Sequence, residues 1–291
     1  MSASAVTSVM NAQILQAATE IGVLGTVIPL IMGRLCDPES TAHEVAQVIG
    51  RDPGLAARVL RVANSAYYGA SGSVATLERA FVLLGVDAVR GIATAACLDR
   101  ATVRAFRSSP IELESMLRHA VSVACAAESL ARASHRSLAS EAFIAGLLHD
   151  FGVMLQLQVD RTRLLAVIAA LDAEPGRNPR EVERSCGCIG HEHCAAVVFR
   201  VWNLPETLVA AVGNHHAPAA APPGSRRLAA LVHLADTISL ETGHGYALEP
   251  QVWPLQEGTL ELLGIQETLL SQVVEALPER VRELQQVLIE S

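Results

Sequence analysis

The stretch Glu141–Phe151 is an apolar run with helical periodicity that ends in two adjacent polar residues, His149 and Asp150. Phe143 and Leu147 fall on one side of the predicted helix and give it a hydrophobic stripe. Burying a carboxylate beside an imidazole in such surroundings is costly unless something pairs with them. A divalent cation would pair with both residues. A buried hydrogen bond between them, or a helix end that faces water, would also satisfy them.

Composition favours a helical, well-packed protein. Hydrophobic residues make up 51% of the 291 residues and charged residues 18%, which is enough apolar surface for one large domain or two subdomains. Aromatic residues are only 3%, so alanine and leucine build the core, and both favour helix. The net charge of −8 argues against a nucleic-acid-binding protein, which needs a basic face.

The sequence also indicates a cytoplasmic protein without a membrane span. Met1–Gln13 has no Lys or Arg before its apolar stretch, unlike a secretory signal. The longest apolar run, Ile21–Met32, is interrupted by glycine and proline and is shorter than the roughly 20 residues that a bilayer requires. Six cysteines in such a chain are expected to be reduced thiols.

Helix signals recur along the whole chain, whereas the strict alternation typical of half-buried strands is absent, so the predicted fold class is all-α. Thr41 and Glu44 form a capping-box pattern, and Asp52-Pro53 is a typical helix start. A break is expected at Pro29, and Pro278 is expected to kink or split its helix. The predicted helical stretches include Met10–Leu35, Thr76–Leu84, Ile111–Ala133, Arg226–Leu240 and the amphipathic Ile265–Ile289.

Several short sequence motifs, in a fixed order, closely resemble those of the HDOD family, the HD-related output domain of bacterial signalling proteins. The resemblance covers roughly Val27 to Leu240. The motifs are Arg51–Leu55, Val62–Gly69, Leu83–Val86, Ala145–Gly152 and Trp202–Pro205. The resemblance implies a two-lobed, all-helical bundle and a regulatory role in signal transduction, with catalysis reduced or lost. It also implies that Asn64, Ser65, Tyr67 and Tyr68 close a helix and join the lobes.

The implied organisation has three parts. Residues 1–26 form an N-terminal helical extension and residues 27–240 the HDOD domain, which divides into an N-terminal lobe (27–108) and an HD-like lobe (109–240). Residues 241–291 form a C-terminal helical extension.

The resemblance further implies a metal-ligand set, because the HD superfamily takes its ligands from separate helices in a fixed order. The matching positions are His119, His149, Asp150, His191, His215, His216 and Asp236. One ion would be held by His119, His149, Asp150 and Asp236, with Asp150 bridging to a second ion on His191 and one of His215 and His216. Imidazole with carboxylate suits iron, manganese, zinc or nickel.

Two departures count against catalysis. Val153 stands where the phosphodiesterase branch usually has a lysine, and the Gly-Tyr-Pro signature of that branch is missing after His191. The first hypothesis is therefore a regulatory module that acts through signalling proteins in trans, with a nucleotide second messenger or a homodimer as further options. The second hypothesis is a metal-dependent phosphohydrolase that acts on nucleotides or cyclic dinucleotides.

Other candidate ligands have simpler interpretations. Cys186, Cys188 and Cys194 surround His191, but their spacing fits no standard zinc finger, so free thiols are expected. His193 should point away from the site. His43, His135 and His244 lie in polar or loop contexts, and His233 either orients Asp236 or is a half-buried core residue.

Overall fold

The computed structural model describes residues 3–20, 28–64, 74–105, 111–174, 176–249 and 251–288. Within these ranges the regular structure is helical, and β pairing is confined to one isolated bridge between Tyr246 and Glu249. The prediction of an all-α fold is confirmed.

The first helices of the chain are α1 (Ala3–Glu20), α2 (Ile28–Leu35), α3 (Ala42–Gly50), α4 (Pro53–Ala63), α5 (Leu77–Leu84) and α6 (Val86–Ala105). They are followed by α7 (Leu113–Ser134), α8 (Ala139–Leu148), α9 (Phe151–Val159), α10 (Arg161–Ala173), α11 (Pro179–Ser185) and α12 (His191–Val201). The last helices are α13 (Glu206–Gly213), α14 (Arg226–Glu241), α15 (Thr259–Leu263) and α16 (Glu267–Leu288).

The predicted helix starts are confirmed by their hydrogen bonds. The Thr41 side chain accepts from the backbone of Glu44, whose carboxylate accepts the Thr41 N–H at 2.8 Å, which completes the capping box. Oδ1 of Asp52 accepts the N–H of Leu55 at 3.0 Å, and Thr76 caps α5 in the same way. Each of these short side chains accepts a hydrogen bond from a backbone N–H group that has no acceptor within its own helix.

Neither proline divides the helix that contains it. Pro29 lies in the first turn of α2, where proline is tolerated, and residues 21–27 lie outside the described residues. Helix α16 continues through Pro278 as one element, so this proline does not split it. Of the predicted lobe-joining residues, Ser65, Tyr67 and Tyr68 also lie outside the described residues.

Helix α7 is the central element of the larger group of helices, and α8, α14 and α16 pack against it. Its buried side is rich in alanine, which lets a neighbour approach closely. At Gly146 of α8, an added Cβ would lie 2.9 Å from the backbone of Ala124, so only glycine fits there. Helices α2 to α6 pack mainly on one another, and α6 joins them to α8 and α9.

The apolar side of α16 is already used inside the chain. Val273, Leu277 and Val281 are buried against the core, and Arg280 pairs with Glu128 of α7. The amphipathic sequence of this segment also leaves open that it docks a partner or pairs two copies of the chain, and that option stays a prediction.

Among the described residues, one continuous stretch has the length and composition of a membrane span. It covers Arg136–Val159, and 78% of its most apolar window is buried inside the fold. It contains α8 and α9, and apolar helices enclosed by other helices are the ordinary core of a globular domain.

Candidate metal site

The seven residues predicted as metal ligands lie in one buried cluster, although they come from five separate parts of the fold. Six of them are nearly or fully buried, and the His216 side chain is 18% exposed. Their positions are His119 on α7, His149 and Asp150 at the α8–α9 junction, His191 at the start of α12, His215 and His216 after α13, and Asp236 on α14. We call these seven residues the His/Asp cluster.

Asp150 divides the cluster into two halves, because its two carboxylate oxygens face different imidazoles. In the first half, Oδ2 of Asp150 lies 3.2 Å from Nε2 of His149 and 3.8 Å from Nε2 of His119. These two Nε2 atoms are 3.2 Å apart, and Nε2 of His119 is also 3.2 Å from Oδ1 of Asp236. Metal bonds of about 2.0–2.2 Å place neighbouring ligand atoms about 3 Å apart, so the spacing suits a cation.

The second half is built around Oδ1 of Asp150, which lies 3.1 Å from Nε2 of His191 and 3.9 Å from Nε2 of His215. Nε2 of His191 is 3.3 Å from Nε2 of both His215 and His216. Asp150 therefore occupies the central position between the halves that the sequence predicted. Metal ligation by these residues stays a prediction.

Backbone carbonyls fix the orientation of three imidazoles. Nδ1 of His119 lies 2.9 Å from the carbonyl oxygen of His244. Nδ1 of His149 lies 2.7 Å from the carbonyl oxygen of Gly146, and Nδ1 of His215 lies 2.7 Å from that of Val212. A carbonyl only accepts, so Nδ1 carries a proton in each ring, and Nε2 of the neutral ring presents a lone pair to the cluster. Metal-bound histidines have this arrangement.

The first half consequently needs a positive charge. Two Nε2 lone pairs, of His119 and His149, face each other without a donor between them. Oδ1 of Asp236 is buried and receives no hydrogen bond. Buried polar atoms in native proteins are normally satisfied, so this set of acceptors fits a bound metal cation.

The electrostatics of the two halves differ. Burial lowers the pKa of His149, but the carboxylates of Asp150 and Asp236 outweigh it and raise that pKa to about 9. Burial raises the pKa of Asp150, yet the surrounding imidazoles hold it well below its usual value. In the second half, burial together with His149 and His191 lowers the pKa of His215 to about 3. The first half thus attracts positive charge, whereas His215 resists it.

A glycine allows the close helix contact that brings the halves together. At Gly152 in the first turn of α9, an added Cβ would lie only 1.9 Å from the carbonyl oxygen of His191. The backbones of α9 and α12 are therefore in direct contact at this point. That contact places His191 beside Asp150, two residues before the glycine.

Four charged residues around the second half were not found from the sequence. Nη1 of Arg180 lies 2.6 Å from Nδ1 of His191, 3.0 Å from Glu183 and 3.6 Å from Glu192, and Nη2 donates to Glu249 at 3.1 Å. Arg180 and Glu183 are three residues apart on α11, a spacing that in sequence is typical of a solvated helix face. Only the packing of α11 against the cluster reveals their role.

The segment after Leu240 closes the cluster. The hydroxyl of Tyr246 donates to Oδ2 of Asp150 at 2.6 Å, and Tyr246 is 5% exposed. The chain doubles back between Tyr246 and Glu249, and a Cβ at Gly245 would lie 2.6 Å from the Glu249 carbonyl oxygen. This segment is part of the predicted C-terminal extension, and through Tyr246 it contacts the His/Asp cluster directly.

We expect Tyr246→Phe to destabilise the protein, because it removes the donor to a buried carboxylate and keeps the ring. Hydrogen bonds to charged groups contribute about 1.5–3 kcal/mol, and the loss should fall in that range. Urea unfolding of the variant and wild type measures the difference. Equal stability of the two proteins would show that the hydroxyl does not hold the segment on the site.

The remaining candidates lie outside the cluster. Nε2 of His193 is 2.9 Å from Oδ1 of Asn11, so this side chain points away from the site, as predicted. Nε2 of His233 accepts the N–H of Gln256 at 3.1 Å, which fits the half-buried core interpretation. Among the described residues, no cysteine belongs to a group that could hold a metal, and none of the six cysteines forms a disulfide.

Comparisons with known proteins agree with this picture. A family model described as HDOD domain matches residues 21–218. A crystal structure named for signal transduction, from Marinobacter aquaeolei VT8, is 25% identical with a TM-score of 0.74, over 89% of this chain and 58% of that one. The chain spans 44% of the length of the curated relative that it matches.

Two further structures match over nearly their whole length. An HDOD domain protein of unknown function from Geobacter sulfurreducens is 21% identical with a TM-score of 0.73, over 97% of this chain and 99% of that one. A protein named as a phosphohydrolase, from Shewanella amazonensis SB2B, is 25% identical with a TM-score of 0.70, over 95% of this chain and 98% of that one.

Proposed function

Because this chain belongs to the HDOD domain family, we propose that it is a regulatory module of bacterial signal transduction that holds a divalent transition metal and has little or no hydrolytic activity. The observation that carries the proposal is the closed His/Asp cluster. Its acceptors need a cation, yet Tyr246 already donates to the central carboxylate and covers it.

The first half of the cluster would hold the metal through His119, His149, Asp150 and Asp236. Imidazole and carboxylate ligands suit iron, manganese, zinc or nickel. When bound, the metal supplies positive charge and Lewis acidity. The four side chains belong to α7, the α8–α9 junction and α14, so a shared ligand would tie these elements together and stabilise the fold.

Two features of this chain argue against hydrolysis. A phosphate ester would have to reach Asp150, which is 2% exposed and hydrogen-bonded to Tyr246. The position of the lysine in the phosphodiesterase branch is the buried Val153, and the 22 basic residues of the chain are all arginine. No lysine from elsewhere in this sequence can replace it.

The second candidate is a metal-dependent phosphohydrolase, and one observation favours it. Asp150 lies between two groups of potential ligands, as a carboxylate that bridges two metal ions would. The name of the Shewanella amazonensis structure points the same way. This function would require the segment carrying Tyr246 to move off the cluster.

Elemental analysis and activity assays separate the two candidates. Protein purified without chelator should contain metal, which His149→Ala should remove. Incubated with manganese or iron, the wild type should hydrolyse nucleotides and cyclic dinucleotides no faster than His149→Ala. Turnover well above that variant would favour the phosphohydrolase, and a wild type without metal would contradict the proposed metal centre.

The regulatory role requires partners. We propose that they are signalling proteins of the cytoplasm acting in trans, with a nucleotide second messenger as a further ligand. The net charge of −8 argues against nucleic acid. Affinity capture with the wild type should recover specific signalling proteins, and recovery of none would count against this role.

A further inference from the structure

We propose that the guanidinium of Arg180 is the resident cation of the second half of the His/Asp cluster, so that each chain binds one metal ion, in the first half. The inference rests on the proposed metal-binding function and fixes the number of ions, which the sequence left at one or two.

Arg180 occupies a group of residues that could otherwise hold a metal. Glu183, His191 and Glu192 offer ligand atoms within 4.8 Å of one another. Nη1 of Arg180 contacts all three, at 3.0 Å, 2.6 Å and 3.6 Å respectively, and Nη2 contacts Glu249. The Arg180 side chain is only 14% exposed. Because a guanidinium is always charged in proteins, it is a permanent cation at this position.

The contact with His191 also decides where that imidazole carries its proton. A guanidinium can only donate, so Nδ1 of His191 accepts and Nε2 carries the hydrogen. This is the reverse of His119, His149 and His215, whose Nδ1 atoms face carbonyl oxygens. The lone pair that His191 would need for a metal at Nε2 is therefore absent.

The proton on Nε2 of His191 takes the place of a second metal. It lies among three acceptors: Oδ1 of Asp150 at 3.1 Å and Nε2 of His215 and His216 at 3.3 Å each. A dication placed among these atoms would displace that proton and lie beside a guanidinium that repels it. In the first half the Tyr246 hydroxyl donates to Oδ2 of Asp150, but the two Nε2 atoms of the neutral His119 and His149 rings present lone pairs to each other at 3.2 Å.

Metal stoichiometry tests the inference. Chelator-stripped protein is dialysed against Mn²⁺, and bound metal per chain is measured for the wild type, Arg180→Met and Arg184→Met. Methionine keeps length and apolar volume without charge, and Arg184 is an exposed residue on the same helix. We expect one ion in the wild type and in Arg184→Met. We expect two in Arg180→Met, whose electron paramagnetic resonance spectrum should change from an isolated ion to a spin-coupled pair.

Each outcome has a distinct meaning. Two ions in the wild type, or one in a folded Arg180→Met, would overturn the inference and leave the proposed metal centre intact. No ion in the wild type would overturn the metal centre itself. The wild-type ratio needs no variant, so the inference stays testable if Arg180→Met fails to fold; nitrogen chemical shifts showing Nε2 of His191 unprotonated would then also overturn it.

Discussion

Asp150→Asn should abolish metal binding, because it removes the charge at the centre of the His/Asp cluster. Losing a residue that merely orients a metal ligand costs about 10- to 100-fold in affinity, so loss of the central ligand should cost at least about 100-fold. Protein purified without chelator should then lose nearly all its metal. Elemental analysis of the purified variant and wild type gives the result.

The same variant should remove the stabilisation that the metal provides. A ligand present at about 1,000 times its dissociation constant contributes about 4.1 kcal/mol to folding, so chelator should lower the melting temperature of the wild type and leave that of Asp150→Asn unchanged. Asp172→Asn is the matched control, because Asp172 is an exposed carboxylate on α10. Full metal content in Asp150→Asn would contradict the assignment of Asp150 as a ligand.

Gly152→Ala should be among the most destabilising single substitutions in the chain. The new Cβ would lie 1.9 Å from the carbonyl oxygen and 2.6 Å from the carbonyl carbon of His191, and both are backbone atoms that no rotamer change can move. Overpacking typically costs about 1–3 kcal/mol and occasionally more. With a backbone clash this close we expect at least about 4 kcal/mol, the upper end of point-substitution effects. Denaturant unfolding measures the loss.

The matched control is Gly224→Ala, since a Cβ at Gly224 would meet nothing within 4 Å. It should change stability by less than about 0.5 kcal/mol, as surface substitutions usually do. If Gly152→Ala folds, it should also lose metal, because separating α9 from α12 disturbs Asp150. A variant as stable as the control would show that the two backbones are not held in contact at this point.

Much of the helical structure followed from local sequence. Thr41, Asp52 and Thr76 start their helices as predicted, because a cap is a hydrogen bond between residues two or three positions apart. The seven predicted cluster residues also converge, although this prediction came from a resemblance and not from periodicity. Single histidines on helices give no local signal of their partners, which can lie more than a hundred residues away, as Asp236 does from His119.

The structure alone revealed the surroundings of the cluster. Tyr246 and Glu249 follow an irregular segment that the sequence assigned to a C-terminal extension, and Arg180 is on a short helix with ordinary charge spacing. Nothing local distinguishes these residues from a surface loop or a solvated helix face. Their burial depends on how α11 and the segment after α14 fold back onto α12.

The all-α fold, the main helix starts and the residue types that could bind a cation can all be read from the amino-acid sequence. These follow from contacts a few positions apart, or from a motif order that the chain carries along its length. Only the folded structure shows that Nε2 of His119 faces the cluster, that Tyr246 closes the cluster and that Arg180 supplies a charge to its second half. Such properties depend on hydrogen bonds between residues distant in the chain, and only packing brings those residues within reach.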